Sequence, residues 1–257
     1  MGFLLSACEP PRLCGKHRAM ISIIIPTLNA EHHLPAALAA LVPGAVEGLV
    51  REVIIVDGGS VDRTHQIVDH AGAEFLAGVP GRGRQLHDGA KRARSPWLLF
   101  LHADTVLEDS WVREACRFMQ AVDQGERRPA AAVFRFRLDD RGICPRSLER
   151  LVSLRCRVLR LPYGDQGLLI PRRLYNEVGG FTDMPIMEDV DFVRRLGRQR
   201  IELLQSWATT SAARYKRDGY VVRSIRNQMC LALYGAGLPP AKIVKLYGRA
   251  PLPAAEL

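Results

Sequence analysis

Two carboxylates stand where short apolar runs stop. Val53-Ile54-Ile55-Val56 ends at Asp57 and continues into Gly58-Gly59-Ser60, while Leu98-Leu99-Phe100-Leu101 ends at His102-Ala103-Asp104. A strand buried on both faces reads as such a run, and in open α/β sheets ligands bind beyond the carboxyl ends of the strands. Both aspartates are therefore expected at one crevice. Asp57 can accept the imide N–H of a uracil there, although guanine also offers N–H donors, or it can simply stabilise the Gly58-Gly59 turn. Arg82 and Arg84 lie in a glycine- and arginine-rich stretch, 78–84, that reads as a flexible loop near the same sheet edge. Their forked, permanently charged guanidinium groups suit diphosphate oxygens, with a solvated loop arginine as the ordinary alternative. Glu188-Asp189 follows Pro185 at a predicted helix start, where negative charge is favoured whether or not it does chemistry.

These groups need a sheet to position them. Ile21-Ser22-Ile23-Ile24-Ile25, stopped by Pro26, predicts a buried first strand, followed by a helix over about 31–41. The loop from Pro26 through Thr27 and Asn29 to Glu31 then joins a strand to a helix, where backbone N–H groups and small polar side chains can hold a nucleoside. Capping by Thr27 or Asn29 is the simpler use. A second strand spans 53–57, and Ser60 or Asp62 can cap the helix carrying Ile67 and Val68. A short strand at 74–77, a helix running through Ala93, a strand at 96–101 and an amphipathic helix at 110–122 follow. This alternation implies a mainly parallel sheet. Beyond residue 130 the pattern changes to an alternating strand at 133–138, a basic helix at about 146–161, the apolar run Leu168-Leu169-Ile170 and a turn at Gly179-Gly180. Two further helices are expected near 221–233 and 240–247. No repeat or low-complexity linker divides the chain, so 20–210 reads as one domain and 211–257 as a helical tail. Residues 1–19 read as an N-terminal extension outside the fold, with Met20 as a natural alternative start.

The chain has 257 residues, 47% of them hydrophobic, and a formal charge of +9. That charge favours anionic partners such as nucleotide phosphates or an acidic membrane surface. No helix-turn-helix, RNA-recognition or zinc-finger pattern accompanies it, so nucleic acid is not an expected partner. Six cysteines without a Cys-x-x-Cys spacing read as reduced thiols and suggest a cytoplasmic location. No apolar run approaches the ~20 residues that span a bilayer, which leaves peripheral contact at the inner face of the membrane as the open membrane association. A dinucleotide-dependent oxidoreductase is disfavoured, because no Gly-x-Gly-x-x-Gly follows the first strand. A nucleotidyltransferase would need a lysine-containing glycine-rich loop where Pro26-Thr27-Leu28-Asn29 stands. It stays the nearest enzymatic alternative, beside a catalytically silent nucleotide- or membrane-binding protein.

In order and spacing, Pro26-Thr27-Leu28-Asn29, Asp57-Gly58-Gly59-Ser60, His102-Ala103-Asp104 and Glu188-Asp189 resemble family 2 inverting glycosyltransferases of the GT-A fold, over residues 20 to about 205. Gly81-Arg82-Gly83-Arg84-Gln85, His102-Ala103-Asp104-Thr105 and the segment from Pro185 to Asp191 further resemble the branch described as arsenosugar-biosynthesis-type or radical-SAM/selenodomain-associated. The resemblance implies an α/β, Rossmann-like, mainly parallel mixed sheet flanked by helices. It implies a sugar moved with inversion from a nucleoside diphosphate donor, UDP-linked, to an acceptor hydroxyl of unknown identity. Pro26, Thr27, Asn29 and Glu31 would face base and ribose, Asp57 and Gly58 the base, and Arg82, Arg84, Ala103 and Asp104 the phosphates and sugar. His102-Ala103-Asp104 takes the place of the family's Asp-x-Asp metal motif. Asp104 would then hold manganese or magnesium, and His102 would be a second ligand or a strand-end histidine making a hydrogen bond. The general base falls in the Glu188-Asp189 pair, with Asp189 preferred, and Asp165 and Gln166 fall on the acceptor side. His87-Asp88-Gly89 departs from the Asn-x-Gly of many relatives and leaves residue 87 without a role.

Overall fold

The computed structural model describes residues 20–159 and 161–247. Eight strands form one sheet: β1 (Ile21–Thr27), β2 (Val50–Asp57), β3 (Glu74–Ala77), β4 (Trp97–Phe100), β5 (Thr105–Leu107), β6 (Ala131–Leu138), β7 (Leu168–Pro171) and β8 (Ile201–Thr210). Their spatial order is β3-β2-β1-β4-β7-β6-β8-β5. The β3-β2-β1-β4 half is parallel, as its apolar runs require, and β7 turns the sheet by pairing antiparallel with both β4 and β6. Beyond it β6 and β8 run parallel, with a register shift between Val133 and Arg135, and β5 closes the far edge antiparallel to β8. The sheet is thus mixed, with the parallel half carrying the ends of β1, β2 and β4 on one side.

Helices cover both faces: α1 (Leu34–Ala39), α2 (Val42–Val46), α3 (Thr64–Ala71), α4 (Arg82–Arg92), α5 (Trp111–Asp123), α6 (Ile143–Leu159), α7 (Arg172–Glu177), α8 (Glu188–Leu196), α9 (Ala213–Asp218), α10 (Tyr220–Gly235) and α11 (Pro240–Tyr247). The two-residue period of β1 sorts the core. Ile21, Ile23 and Ile25 pack with Trp97, Leu99, Trp111 and Phe118 on one face, and Ile24 packs with Leu98, Phe100, Ile170 and Phe192 on the other. Each such side chain, wholly removed from water, contributes about 1.5–3 kcal/mol, which makes the ends of these strands a firm base for polar groups.

The structure corrects several expectations. The helix expected over 31–41 is α1, shorter at 34–39, and a second short helix, α2, follows it, with Pro43, which lacks an N–H, in its first turn. Arg82 and Arg84 are not in a flexible loop: α4 starts at Arg82, with Gly81 before it at φ 154°. β5, β8, α7 and α9 did not emerge from the sequence pattern. β8 alternates weakly and carries polar residues over most of its length, because only part of it faces the core. Cys116, Cys144, Cys156 and Cys230 are free thiols. The extension at 1–19, with Cys8 and Cys14, lies outside the described residues.

Candidate active site

The loops after β1 and β2 are laced together by side chains. Asn29, at φ 52°, accepts the N–H of Val61 on its Oδ1 (2.9 Å) and donates its own N–H to Ser60 Oγ (2.7 Å). A left-handed backbone is tolerated best by Gly, Asn and Asp, which is why Asn suits this corner. Ala30 N–H donates to Thr64 Oγ1 (2.9 Å) and Glu31 N–H to Asp62 Oδ2 (3.0 Å). Asp62, rather than Ser60, also receives the Thr64 N–H (3.0 Å) at the start of α3. Asp57 Oδ1 accepts the hydroxyls of Thr27 (2.8 Å) and Ser60, and its Oδ2 accepts the N–H groups of Gly59 (2.9 Å) and Ser60 (2.7 Å). A carboxylate has about four acceptor positions, so the chain itself occupies those of Asp57. Asp57 organises this corner. Gly58 packs beneath Gln85, whose amide donates to Thr27 O (2.9 Å) and Val56 O (2.7 Å) and so fixes α4 to the strand ends.

Arg82, in the first turn of α4, joins the carboxylates expected to do chemistry. Its Nε lies 2.8 Å from Glu188 Oε1, its Nη2 lies 4.0 Å from Asp189 Oδ2, and Nη2 also meets His102 Nε2. Glu188 is 3% exposed, so this ion pair sits in a largely dry setting. Gly83 permits the approach, because a Cβ there would collide with Thr182 O and lie 3.2 Å from Glu188 Cβ. Gly164 does the same on the other side, where a Cβ would strike Arg82 Nη2. Asp189 Oδ2 accepts the Gly164 N–H at 2.8 Å. The α8 start is held in a strained corner: Met187 adopts φ 67° without being glycine. Its side chain packs with Ile186, Val190, Cys230, Ile243 and Val244, and this burial across α10 and α11 offsets the backbone cost, on the order of 1–3 kcal/mol.

His102 and Asp104 follow β4. A His102 Nε2 that accepts from Arg82 leaves the ring proton on Nδ1, which lies 3.9 Å from Asp104 Oδ1. Thr210 Oγ1 donates to Asp104 Oδ1 (3.4 Å) and is itself reached by the Thr105 hydroxyl (3.2 Å). Among the described residues no group of three or more acidic, His or Cys side chains is arranged to hold a metal. The residues present still fit a hard divalent cation, since such ions bind through one or two carboxylates and complete their shell with substrate phosphates and water. Asp104 would supply that carboxylate.

Two cavities meet at this cluster. One runs past Pro26, Thr27, Asn29, Gln85 and Ala103, and the other past Tyr163, Asp165, Asp189, Arg223 and Asn227. Arg82, His102, Asp104 and Arg214 line both. Several predicted residues stand elsewhere. Arg84 makes exposed ion pairs with Asp88 (3.8 Å) and Asp183 (3.9 Å) and does not line the cavity that Arg82 lines. Glu31 turns away to the Arg63 N–H (3.1 Å) and guanidinium (3.2 Å). Gln166 is 1% exposed and bonded to Phe134 O (2.9 Å) and the Tyr163 N–H (3.3 Å), so it holds the turn at 164–166 from within. Conversely, Thr210, Arg214 and Asn227 were missed. Each arrives through β8 or the helices after it, and nothing in its local sequence distinguishes it from a surface residue.

Asp165 carries an acidic oxygen, Oδ1, that is buried without a hydrogen-bond partner among the described residues. Burial pushes its carboxyl up to about 6; Arg155 pulls it down, and Asp189 and Asp104 add to the rise. A carboxyl raised in the folded state costs nothing below its ordinary value of 3.8 and destabilises increasingly as pH climbs through 6. Asp165→Asn in metal-free buffer should therefore leave stability near pH 4 unchanged and raise it at pH 7, by on the order of 3 kcal/mol at most. Urea unfolding at both pH values measures this, and an equal or negative shift at pH 7 would refute it.

The Glycosyl transferase family 2 profile matches residues 22–168. An uncharacterized glycosyltransferase of Mycobacterium bovis is 28% identical over 120 residues, covering 44% of this chain and 51% of the relative. The match thus spans about half the length of that relative. Among solved structures, Staphylococcus aureus TarS 1–349 in complex with UDP-GlcNAc superposes with a TM-score of 0.56 at 20% identity, over 89% of this chain and 70% of that one. Glucosyl-3-phosphoglycerate synthase of Mycobacterium tuberculosis, in complex with Mn2+, UDP and glucosyl-3-phosphoglycerate, gives 0.57 at 20% identity, over 86% and 81%. At these identities the likeness is one of fold: a mixed, curled sheet flanked by helices.

Proposed function

The chain belongs to glycosyl transferase family 2 and has the GT-A fold, and from that premise we propose that it moves a sugar with inversion from a UDP-linked donor to an acceptor hydroxyl. One observation carries the reading: two cavities, one against the strand-end loops and one behind α10, meet at Arg82, His102 and Asp104, with Asp189 on the second. Donor and acceptor each have a compartment, and the reacting atoms would meet at the seam. Solved relatives that hold UDP-GlcNAc, or UDP with Mn2+, support the choice of donor and of a divalent cation. The segments around Gly81-Arg82-Gly83 and Met187-Glu188-Asp189 support the narrower arsenosugar-type branch, which names no acceptor here.

In this reading Asp189 takes the proton of the acceptor hydroxyl as its oxygen attacks the anomeric carbon from the face opposite the diphosphate. Gly164 holds the carboxylate by its N–H, and Arg82 stands between it and the buried Glu188. Asp104 would hold the cation, which when bound neutralises charge developing on the departing diphosphate. Arg214, with no ion pair among the described residues, lies between the two compartments and offers a second positive group.

Two measurements test this. A screen of nucleotide sugars with manganese or magnesium should show nucleoside diphosphate release and donor-dependent thermal stabilisation with a UDP-sugar. Pyrophosphate release from a nucleoside triphosphate would instead favour nucleotidyl transfer. Asp104→Ala should fold normally, because its side chain receives only a long hydroxyl bond from Thr210, yet lose metal-dependent affinity for UDP. Calorimetry that showed unchanged metal-dependent affinity would remove Asp104 as the anchor.

A further inference from the structure

α10 presents an apolar stripe to the outside. At 100° per residue, Arg223, Asn227, Cys230 and Tyr234 share one side of the helix, and Val221, Val222, Ile225 and Met229 share the other. The first side faces inward: Arg223 is 5% exposed and lines the acceptor-side cavity with Asn227, and Cys230 packs with Met187, Val190 and Ile243. The apolar side faces out, with Val221 69% and Ile225 60% exposed. α6 also presents an apolar stripe to the outside. Val152 and Cys156 pack inward with Tyr215 and Tyr220, at the approach to α10, while Ile143, Leu151, Leu154 and Val158 point outward, Val158 at 67% exposure. Single exposed apolar residues are ordinary, but two neighbouring helices that each present a whole apolar stripe mark a surface that something covers.

Charge identifies the cover. On α6 the stripe is edged by Arg150 and Arg157, and α11, packed on α10, adds Lys242 and Lys245. None of these four cations has an ion-pair partner among the described residues, and the chain carries a net charge of +9. Apolar stripes bordered by lysine and arginine suit the boundary between acyl chains and anionic headgroups. No helix among the described residues is long and apolar enough to cross a membrane, so the contact is made along the surface. We propose that the outward faces of α6 and α10 seat this protein on an anionic bilayer. The inner face of α10 then forms the wall of the acceptor cavity next to the membrane. Resting on the glycosyl-transfer reading, the acceptor class that follows is a hydroxyl compound presented at a lipid surface.

The probe is a set of vesicles of phosphatidylcholine with or without phosphatidylglycerol, assayed by flotation with the full chain. Wild type should float with the anionic vesicles and detach as salt rises, since exposed charges are screened within ~10 Å at 0.1 M. Val221→Glu with Ile225→Glu, and separately Leu154→Glu with Val158→Glu, should fold, because all four sites are exposed, and should weaken flotation at least about ten-fold, as loss of ~1.4 kcal/mol or more per pair requires. Absence of flotation at low salt, or flotation indifferent to both pairs, overturns the docking surface. A micromolar dimer in light scattering that these pairs dissociate, without vesicle binding, overturns it in favour of a second copy. For the acceptor class, labelled donor is incubated with vesicles of total bacterial lipid. Label should enter the solvent-extractable fraction, less so for the α10 pair, at unchanged UDP affinity. Donor turnover and flotation without such incorporation overturn the lipid-borne acceptor. Flotation without any UDP binding overturns the glycosyl-transfer reading and leaves the docking surface standing.

Discussion

Asp189→Asn should bind UDP and metal like the parent protein and transfer sugar about 10²–10⁴-fold more slowly. The substituted amide can still accept the Gly164 N–H that the carboxylate accepts at 2.8 Å, so the turn at 164–166 and the start of α8 keep their shape. What the amide lacks is a basic lone pair able to take the acceptor proton at neutral pH. The loss should therefore fall on kcat, with the donor KM little changed, which separates a base from a binding residue. Rapid-quench measurement of a single turnover reports the chemical step directly. A folded Asp189→Asn enzyme with near-parental turnover would remove Asp189 from the role. Asp165, whose carboxyl faces the same cavity and is raised to about 6, would then be the next group to replace.

Arg82→Met should destabilise the fold by about 3–5 kcal/mol. Glu188 is 3% exposed and its Oε1 lies 2.8 Å from Arg82 Nε, so the methionine would leave a buried carboxylate facing an apolar side chain. Removing one partner of a buried pair costs far more than the pair contributes, because the remaining charge loses its compensation. The double variant Arg82→Met with Glu188→Gln should consequently recover much of the stability. Denaturant unfolding of the single and double variants measures the coupling. A single variant within 1 kcal/mol of the parent, or a double variant no better than the single, would show that the pair is not the anchor described here. Arg82→Met should also remove a contact from His102 and from Asp189, so its turnover should fall by more than its stability loss explains.

Much of this was legible in the chain. The apolar runs of β1, β2 and β4 determine strand, direction and burial, because a strand covered on both faces needs uninterrupted apolar side chains. The positions of Asp57 and Asp104 at strand ends, and of Glu188 and Asp189 at a helix start, follow from turn and capping chemistry that acts over a few residues. What each group does there is another matter. Asp57 holds the turn after it through local bonds, whereas the bond it accepts from Thr27, in a parallel strand 30 residues away, exists only in the tertiary structure. Arg82 and Arg84 are equivalent by type and spacing. Helical geometry sends Arg82 into the carboxylates and Arg84 to the surface, since residues two apart on a helix face different ways. Thr210 reaches Asp104 through a pairing of β5 with β8 that joins residues 105 apart, and β8 is too polar and irregular to announce itself. α10 is the plainest case. Its outward apolar stripe is local and visible, but which side faces inward is decided by the cavity and the apolar cluster it packs against, so the stripe is turned outward by the tertiary structure alone.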